Sequence, residues 1–149
     1  MPISSILTQE LTIANVDGVS KKRVIDTLAQ LFANSAQGID AAALFRQFIN
    51  REKLGSTGIG HGIAIPHCRC ACAEKTALAC LSLKTPIDFD AVDHEPVDLI
   101  FAMIVPENSE NEHLELLSSI AGKMQEAKFV SALRDAKDSE ALFHAVITN

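Results

Sequence analysis

Residues 97–105 read Val97-Asp98-Leu99-Ile100-Phe101-Ala102-Met103-Ile104-Val105, a run that is apolar at every position except Asp98. A strand buried on one face alternates apolar and polar residues, whereas a strand covered on both faces is apolar nearly throughout. Pro106 follows and closes the run, because proline has no amide hydrogen to donate to a neighbouring strand. This stretch therefore predicts a central strand with a layer of helices on each face.

Three further strands are predicted before this run. Leu11–Ala14 is short and is followed by the turn residues Asp17 and Gly18. Gly62–Ile65 alternates bulky and small side chains, and Ala77–Leu83 is again largely apolar. We expect these segments to join residues 97–105 in one sheet.

Two helices are predicted in the first third of the chain. Ser20 and Asp40 are suitable N-caps, because each side chain can accept a hydrogen bond from a backbone amide of the first turn. Gly38 separates the two helices, and the second ends at Gly55. The apolar positions recur at helical spacing, with Val24, Ile25, Leu28, Leu31 and Phe32 in the first helix and Leu44, Phe45, Phe48 and Ile49 in the second.

Three more helices are predicted after the central run. Ser109 and Glu112 have the spacing of a capping box, so a helix should start at Ser109. Shorter helical patterns cover Phe129–Leu133 and Ser139–Val146. Helices before and after a group of strands predict a three-layer α/β/α sandwich around a central mixed sheet. A chain of 149 residues suits a single domain over 1–149.

The composition disfavours several kinds of partner. The formal net charge of −6 repels nucleic acid and anionic membranes, and the absence of Trp and Tyr disfavours sites that stack bases or sugars. No segment approaches the ~18 consecutive apolar residues of a membrane helix, and residues 1–7 lack the basic start of a signal peptide. We therefore expect a cytoplasmic protein with no nucleic-acid partner and no membrane insertion.

The cysteines form a cluster with one outlier, namely Cys68, Cys70, Cys72 and Cys80. In an extended segment the first three would share a face, and a metal site with His61 or His67 is one interpretation. Zinc sites usually separate paired cysteines by about two to four residues, so that a turn aims both sulfurs at one ion. The spacing therefore favours small, half-buried, reduced thiols.

His67 is the first candidate for chemistry. It follows Gly62–Ile65 and Pro66, which we expect to end the strand and to project the next side chain from the strand end. The glycine-rich stretch 55–62 precedes it and offers accessible backbone amides. A fixed imidazole beside such amides suits a nucleophile that must carry an anion.

His113 and Arg51 are further candidates, each with a structural alternative. From His113, helical steps lead to Leu116 and Ile120, so its ring lies with the apolar face and could be a core histidine bonded to a carbonyl. At a helix start it could instead stay neutral and donate a hydrogen bond. Arg51 could be a solvated helix-end residue or a planar cation that grips phosphoryl oxygens in pairs. For the other histidines we expect surface or core roles: His61, His94 and His144.

One long motif resembles a known family. It reads Arg51-Glu52-Lys53-Leu54-Gly55-Ser56-Thr57-Gly58-Ile59-Gly60-His61-Gly62-Ile63-Ala64-Ile65-Pro66-His67. It closely resembles the active-site signature of the fructose/mannitol-class enzyme IIA domains of the bacterial phosphoenolpyruvate-dependent phosphotransferase system. Residues 85–93 and 96–101 resemble the nitrogen-regulatory branch in particular, although His61 stands where that branch commonly has Asn.

The resemblance implies that His67 is phosphorylated on Nε2 by the phosphohistidine of a small histidine phosphocarrier protein. It further implies that His113 is the second active-site histidine, that Arg51 is the nearby cation, and that the fold is the three-layer sandwich described above. The candidate catalytic residues are His67, His113 and Arg51, and the candidate phosphoryl-binding residues are Arg51, Ser56 and His113. Exchange between two P–N bonds is close to balanced, so we expect no cofactor and no metal. The phosphorylation state would regulate nitrogen and potassium metabolism through downstream target proteins.

Alternative functions remain open at this point. The chain could be a sugar-specific enzyme IIA component that passes its phosphoryl group to an enzyme IIB. It could be a binding or sensor module of the same fold in which His67 is never phosphorylated. A small metal protein built on the cysteine cluster is a third possibility, and bound metal in the purified protein would reveal it.

Overall fold

The computed structural model describes residues 2–36, 38–109 and 112–148, with Glu112 described by its backbone alone. A short 3₁₀ helix at Ile3–Ser5 comes first. The strands are β1 (Leu7–Val16), β2 (Gly58–Gly60), β3 (Ile63–Ala64), β4 (His67–Cys70), β5 (Ala77–Ile87) and β6 (Val97–Pro106). The helices are α1 (Lys21–Ser35), α2 (Ala41–Lys53), α3 (Glu112–Lys123), α4 (Ala127–Asp135) and α5 (Ser139–Thr148).

The strands form one mixed sheet in the order β1-β5-β6-β3-β2, and β4 also pairs with β6. The pairs β1/β5, β3/β6 and β4/β6 are parallel, whereas β5/β6 and β2/β3 are antiparallel. β6 thus has β5 along one side and β3 followed by β4 along the other. The predicted central position of residues 97–105 is confirmed.

The core lies on both faces of the sheet. Alternate residues of β6 point to opposite sides, because side chains alternate along a strand. On one side Ile100, Ala102 and Ile104 pack with α1 and α2. On the other side α3, α4 and α5 cover the next set, Leu99, Phe101, Met103 and Val105. The three-layer α/β/α architecture predicted from the sequence is therefore confirmed.

Two predicted N-caps are confirmed. The Ser20 hydroxyl accepts a hydrogen bond from the amide of Arg23 at 3.2 Å. The Asp40 carboxylate accepts one from the amide of Ala43 at 3.3 Å. Each cap satisfies a first-turn amide that has no partner within its own helix, which fixes where α1 and α2 begin.

The predicted capping box of α3 falls largely outside the described residues. The predicted helix start at Ser109 is not seen: Ser109 lies outside α3, which covers Glu112–Lys123, and its buried hydroxyl has no hydrogen-bond partner among the described residues. Residues 110 and 111, and the side chain of Glu112 on which the box depends, are not among those described.

The prediction that Pro66 ends the strand is wrong. Pro66 lacks an amide, but its carbonyl accepts a hydrogen bond from the amide of Met103 at 2.9 Å. Beyond it the chain continues to pair with β6, with His67 opposite Met103. β3 and β4 are thus two parts of one extended segment along β6, and His67 opens the second part. The glycine-rich stretch also contains a short strand, β2, which the sequence pattern did not indicate.

The prediction of reduced thiols is wrong for two cysteines. Cys70 and Cys72 form a disulfide that joins the end of β4 to the following turn. Cys68 and Cys80 are free and buried. Burial raises the pKa of the Cys68 thiol from 9.0 to about 12, because an apolar environment disfavours the thiolate.

No helix within residues 2–36, 38–109 and 112–148 is long and apolar enough to span a membrane.

Candidate active site

A cavity of about 370 Å³ lies beside β4, between the C-terminal half of α2 and the first turns of α3. Three of the four predicted site residues line it: His67, His113 and Arg51. The nine other lining residues are Gln47, Asn50, Leu54, Cys68, Arg69, Met103, Val105, Leu114 and Leu117. The structure therefore brings together residues that are far apart in the sequence.

His67 is held by its own backbone neighbourhood. Its Nδ1 lies 2.7 Å from the carbonyl oxygen of Ile65, and a carbonyl can only accept. The ring proton is therefore on Nδ1, and Nε2 carries the lone pair. The ring is half-buried, so the hydrogen bond and the surrounding packing together fix its orientation.

The surroundings favour the neutral form of His67. Burial lowers its pKa below 6.5, the ordinary value, because a half-buried imidazolium loses part of its hydration. The Ile65 carbonyl opposes this shift, and the positive charge of Arg51 reinforces it. A neutral ring with a free Nε2 lone pair is the form that can attack phosphorus.

His113 is the second residue of α3 and is half-buried. Its Nδ1 is buried and has no hydrogen-bond partner among the described residues. Its Nε2 lies 3.4 Å from NH2 of Arg69. Leu116 and Ile120, one and two turns further along the helix, are buried in the core on this side of the sheet. The predicted orientation of the ring toward the apolar face is therefore confirmed, while its role in chemistry stays a prediction.

Arg51 lies in the last turn of α2 and is half-buried. Its NH1 donates to the carbonyl oxygen of Gly55 at 2.8 Å, so the guanidinium is tied to the start of the glycine-rich stretch. One anchored nitrogen leaves other donors of the guanidinium available to an anion in the cavity. This arrangement fits the cationic role expected for Arg51.

Ser56 is not among the residues that line the cavity. Its hydroxyl donates to the carbonyl oxygen of Phe89 at 2.8 Å and accepts from the amide of Gly58 at 3.0 Å. It therefore shapes the glycine-rich stretch from within. The phosphoryl-binding role expected of it stays a prediction, and the hydroxyl could donate to a ligand only by giving up its bond to the Phe89 carbonyl.

A buried carboxylate anchors the same stretch to α2. Glu52 is only 6% exposed and forms an ion pair with Lys21 at 2.8 Å. It also accepts hydrogen bonds from the amide of Thr57, at 3.2 Å, and from the Thr57 hydroxyl. At Gly58 a side chain would collide with Ala91, whose Cβ would lie 2.8 Å from the added carbon. The path of the chain from α2 to Gly58 is thus closely determined.

Sequence reasoning missed Arg69, Gln47 and Asn50 as lining residues. Two positions beyond His67 on the same strand, Arg69 shares its face, because side chains alternate along a strand. Gln47 precedes Asn50 by three positions and Arg51 by four on α2, and both spacings place side chains next to each other on the helix surface. The periodicity of the strand and of the helix could have indicated these three residues. Arg69 was missed because the strand was expected to end at Pro66.

The remaining histidines are exposed, as the sequence allowed: His61, His94 and His144. Among the described residues, no group of three or more His, Cys, Asp or Glu side chains could hold a metal ion. The Cys70–Cys72 disulfide takes two sulfurs out of the cysteine cluster that suggested a metal site.

The chain is similar to known proteins over nearly its whole length. The family model described as "Phosphoenolpyruvate-dependent sugar phosphotransferase system, EIIA 2" matches residues 5–149. The chain is 46% identical to a nitrogen regulatory protein of Pseudomonas aeruginosa over 145 residues, which cover 97% of this chain and 94% of that one. It is 38% identical to the nitrogen regulatory protein of Escherichia coli K12, with 98% and 90% coverage. The crystal structure of nitrogen regulatory protein IIA-Ntr from Neisseria meningitidis matches with a TM-score of 0.90 at 36% identity, covering 97% of this chain and 98% of that one.

The chain therefore belongs to the EIIA type-2 family of the phosphotransferase system and is a phosphotransferase component. Its relatives and the structural match confirm the resemblance to the nitrogen-regulatory enzymes IIA.

Proposed function

We propose that this chain is a phosphoryl-accepting regulatory protein of the nitrogen-type phosphotransferase system, with His67 as the acceptor. One observation supports this proposal most strongly. The bond from His67 Nδ1 to the Ile65 carbonyl leaves Nε2 as the nucleophilic nitrogen, in a cavity that also holds Arg51 and His113. Acceptance by His67, the phosphohistidine itself and the identity of the donor belong to this proposal.

The proposed step transfers a phosphoryl group from a phosphohistidine of the donor protein. The bond between phosphorus and His67 Nε2 forms as the bond to the donor nitrogen breaks, and the electron pair of the broken bond stays on that nitrogen. From a donor ring protonated at its second nitrogen, the leaving group is a neutral imidazole. His67 keeps its Nδ1 proton on the Ile65 carbonyl throughout, so no proton has to leave the site.

Positioning and charge supply the catalysis of such a step. Phosphoryl transfer passes through a state with negative charge on three oxygens, and fixed donors around those oxygens lower its energy. Arg51 lies in the cavity with an orientation set by its bond to Gly55. Because one P–N bond replaces another, the proposed step needs neither a metal nor a nucleotide.

The surface around the cavity suits a protein donor. Leu54 and Leu114 line the cavity and are 85% and 56% exposed. Exposed apolar side chains beside a polar centre are typical of a docking surface. We assign this surface to a small histidine phosphocarrier protein, whose phosphohistidine would enter between the two leucines.

The regulatory part of the proposal draws on the relatives, which carry the name nitrogen regulatory protein. The phosphorylation state of His67 would change how the cavity surface binds downstream targets in the cytoplasm, and those targets would act in nitrogen and potassium metabolism. A phosphoryl group adds a charge of about −1.5 to −2, which changes the binding of any partner that contacts the site.

Phosphate transfer from a labelled, phosphorylated histidine phosphocarrier protein tests the acceptor directly. Wild type should gain one acid-labile phosphate that mass spectrometry places on His67. His67→Ala should gain none and should keep its fold, and the matched control His144→Ala, at an exposed position of α5, should label as wild type does. Label on another histidine would contradict the assignment, and an unlabelled wild-type chain would favour the sensor alternative.

A pull-down tests the regulatory part. Wild type, His67→Ala and the mimic His67→Glu should retain different sets of proteins from a cell extract. Recovery of an enzyme IIB that accepts the labelled phosphoryl group from the phosphorylated chain would favour the sugar-specific alternative. Identical sets for all three variants would contradict regulation through His67.

A further inference from the structure

Arg69 has no part in the function described so far, yet it lines the cavity that holds His67. It shares a face of β4 with His67 and lines the same cavity. The side chain is exposed and nevertheless held, because NH1 donates to the carbonyl oxygens of Glu107, at 3.1 Å, and of Ser109. Arg69 thereby ties the strand that carries His67 to the connection that leads into α3.

The contact between Arg69 and His113 favours one tautomer of the neutral second histidine. Arginine has five N–H donors and no acceptor, so His113 Nε2, at 3.4 Å from NH2, faces it with a lone pair. The proton of the neutral ring is therefore on Nδ1. That nitrogen is buried and unpartnered among the described residues, and a buried N–H without an acceptor is unfavourable. Arg69 stabilises a tautomer that the surroundings of Nδ1 disfavour.

We propose that Arg69 is a second cationic phosphoryl-binding residue, and that it holds His113 in the Nδ1–H tautomer until the phosphoryl group arrives. This inference rests on the proposed function of His67. The contacts with described residues use both hydrogens of NH1 and one of NH2, which leaves donors on NH2 and Nε for a phosphoryl oxygen. When the guanidinium turns to that oxygen, His113 is released.

Release changes what His113 can do. Its ring can then carry the proton on Nε2, where it donates to a phosphoryl oxygen, and Nδ1 no longer holds an unpartnered hydrogen. Two N–H donors thus become available when negative charge enters the cavity. One is the NH2 hydrogen of Arg69 that faced His113, and the other is the Nε2–H of His113. In the free protein the contact occupies one hydrogen of Arg69 NH2 and the lone pair of His113 Nε2.

Single-turnover transfer from a phosphorylated histidine phosphocarrier protein tests the inference in Arg69→Gln and Arg69→Lys. Arg46→Gln is the matched control, because Arg46 is an exposed arginine of α2 outside the cavity lining. We expect Arg69→Gln to slow transfer per folded molecule on the order of tenfold to a hundredfold, at or below the effect of losing one donor in an enclosed oxyanion site. Arg69→Lys should recover part of the rate, and Arg46→Gln should match wild type.

The ¹⁵N resonances of the His113 ring provide a readout that a purely structural role would not change. Wild type should show a protonated Nδ1 and an unprotonated Nε2, and Arg69→Gln should shift the ring toward Nε2–H. An unchanged rate or an unchanged tautomer in Arg69→Gln would overturn the inference and leave the function of His67 standing. If Arg69→Gln and Arg69→Lys lose the same share of the transfer rate, and that share equals their loss of folded protein, Arg69 has only a structural role. A wild-type chain that accepts no phosphate would instead overturn the proposed function itself.

Discussion

Glu52→Ala should destabilise the fold by about 3 kcal/mol, because it removes a buried acceptor that several donors share. The Glu52 side chain is 6% exposed and lies 2.8 Å from Lys21 Nζ. It also binds both the amide and the hydroxyl of Thr57, which is itself buried. After truncation, two Thr57 donors would be left in a region that water reaches poorly.

The magnitude follows from these partners. A hydrogen bond to a charged group contributes about 1.5–3 kcal/mol, so two bonds at the lower end give about 3 kcal/mol. Breaking a fully buried ion pair costs about 3–5 kcal/mol, but Lys21 is 20% exposed and keeps Asp90 at 3.5 Å, so we add little for it. For a chain of this length, about 3 kcal/mol corresponds to a fall of roughly 6–12 °C in Tm.

Urea and thermal unfolding followed by circular dichroism measure this change. Glu115→Ala is the matched control, since Glu115 is an exposed helical glutamate, and its Tm should stay within about 2 °C of wild type. Glu52→Gln keeps one acceptor oxygen and should lose about half as much stability as Glu52→Ala. A loss below about 1 kcal/mol in Glu52→Ala would refute the reasoning, because it would mean that water replaces the carboxylate.

Four further outcomes are expected. His113→Ala should slow single-turnover transfer about a hundredfold per folded molecule, and His113→Gln, which can still donate, should lose less; equal wild-type rates in both would make the residue structural. Arg51→Ala should slow transfer more than it weakens donor docking, measured by separate rate and binding titrations, and the reverse order would make it a helix-end residue. NMR titration of His67 should give a midpoint below 6.5, with transfer falling as pH drops through it, because folding disfavours the protonated ring; a midpoint at or above 6.5 would contradict the burial argument. Alkylation should modify no thiol in the native unreduced protein, two thiols after unfolding, and four after unfolding and reduction. The reason is that Cys68 and Cys80 are buried and the other two cysteines are paired. Modification of four thiols in the unfolded, unreduced protein would exclude the disulfide.

Local signals were enough to predict much of the fold. Ser20 and Asp40 cap helices through bonds to amides only three residues away, so the sequence contains all the information needed. The apolar run of β6 indicated burial on both faces, and both faces are indeed covered. These features depend on short-range chemistry or on one unbroken pattern.

Features that depend on distant partners were not predictable in this way. Proline is typical of a strand end because it lacks an amide hydrogen, yet the chain pairs with β6 both before and after Pro66. The contacts of Arg69 follow from that continuation, since the carbonyls that it binds belong to the connection after β6. Cys70 and Cys72 resemble free alternating thiols until the turn after β4 brings their sulfurs together. Pairing across the sheet, more than local propensity, determines these positions.

β6 also helps to position both histidines of the site. His67 is in register with Met103 on this strand, and the same strand leads through Pro106 toward the helix that carries His113. Spacing between the two histidines is therefore set by one rigid element and one short connection. A peptide inserted at the exposed turn between Glu74 and Lys75 would lengthen the chain between them without moving either ring. By contrast, one residue added within 107–109 would displace the carbonyls that bind Arg69, so the two segments differ sharply in their tolerance of insertions.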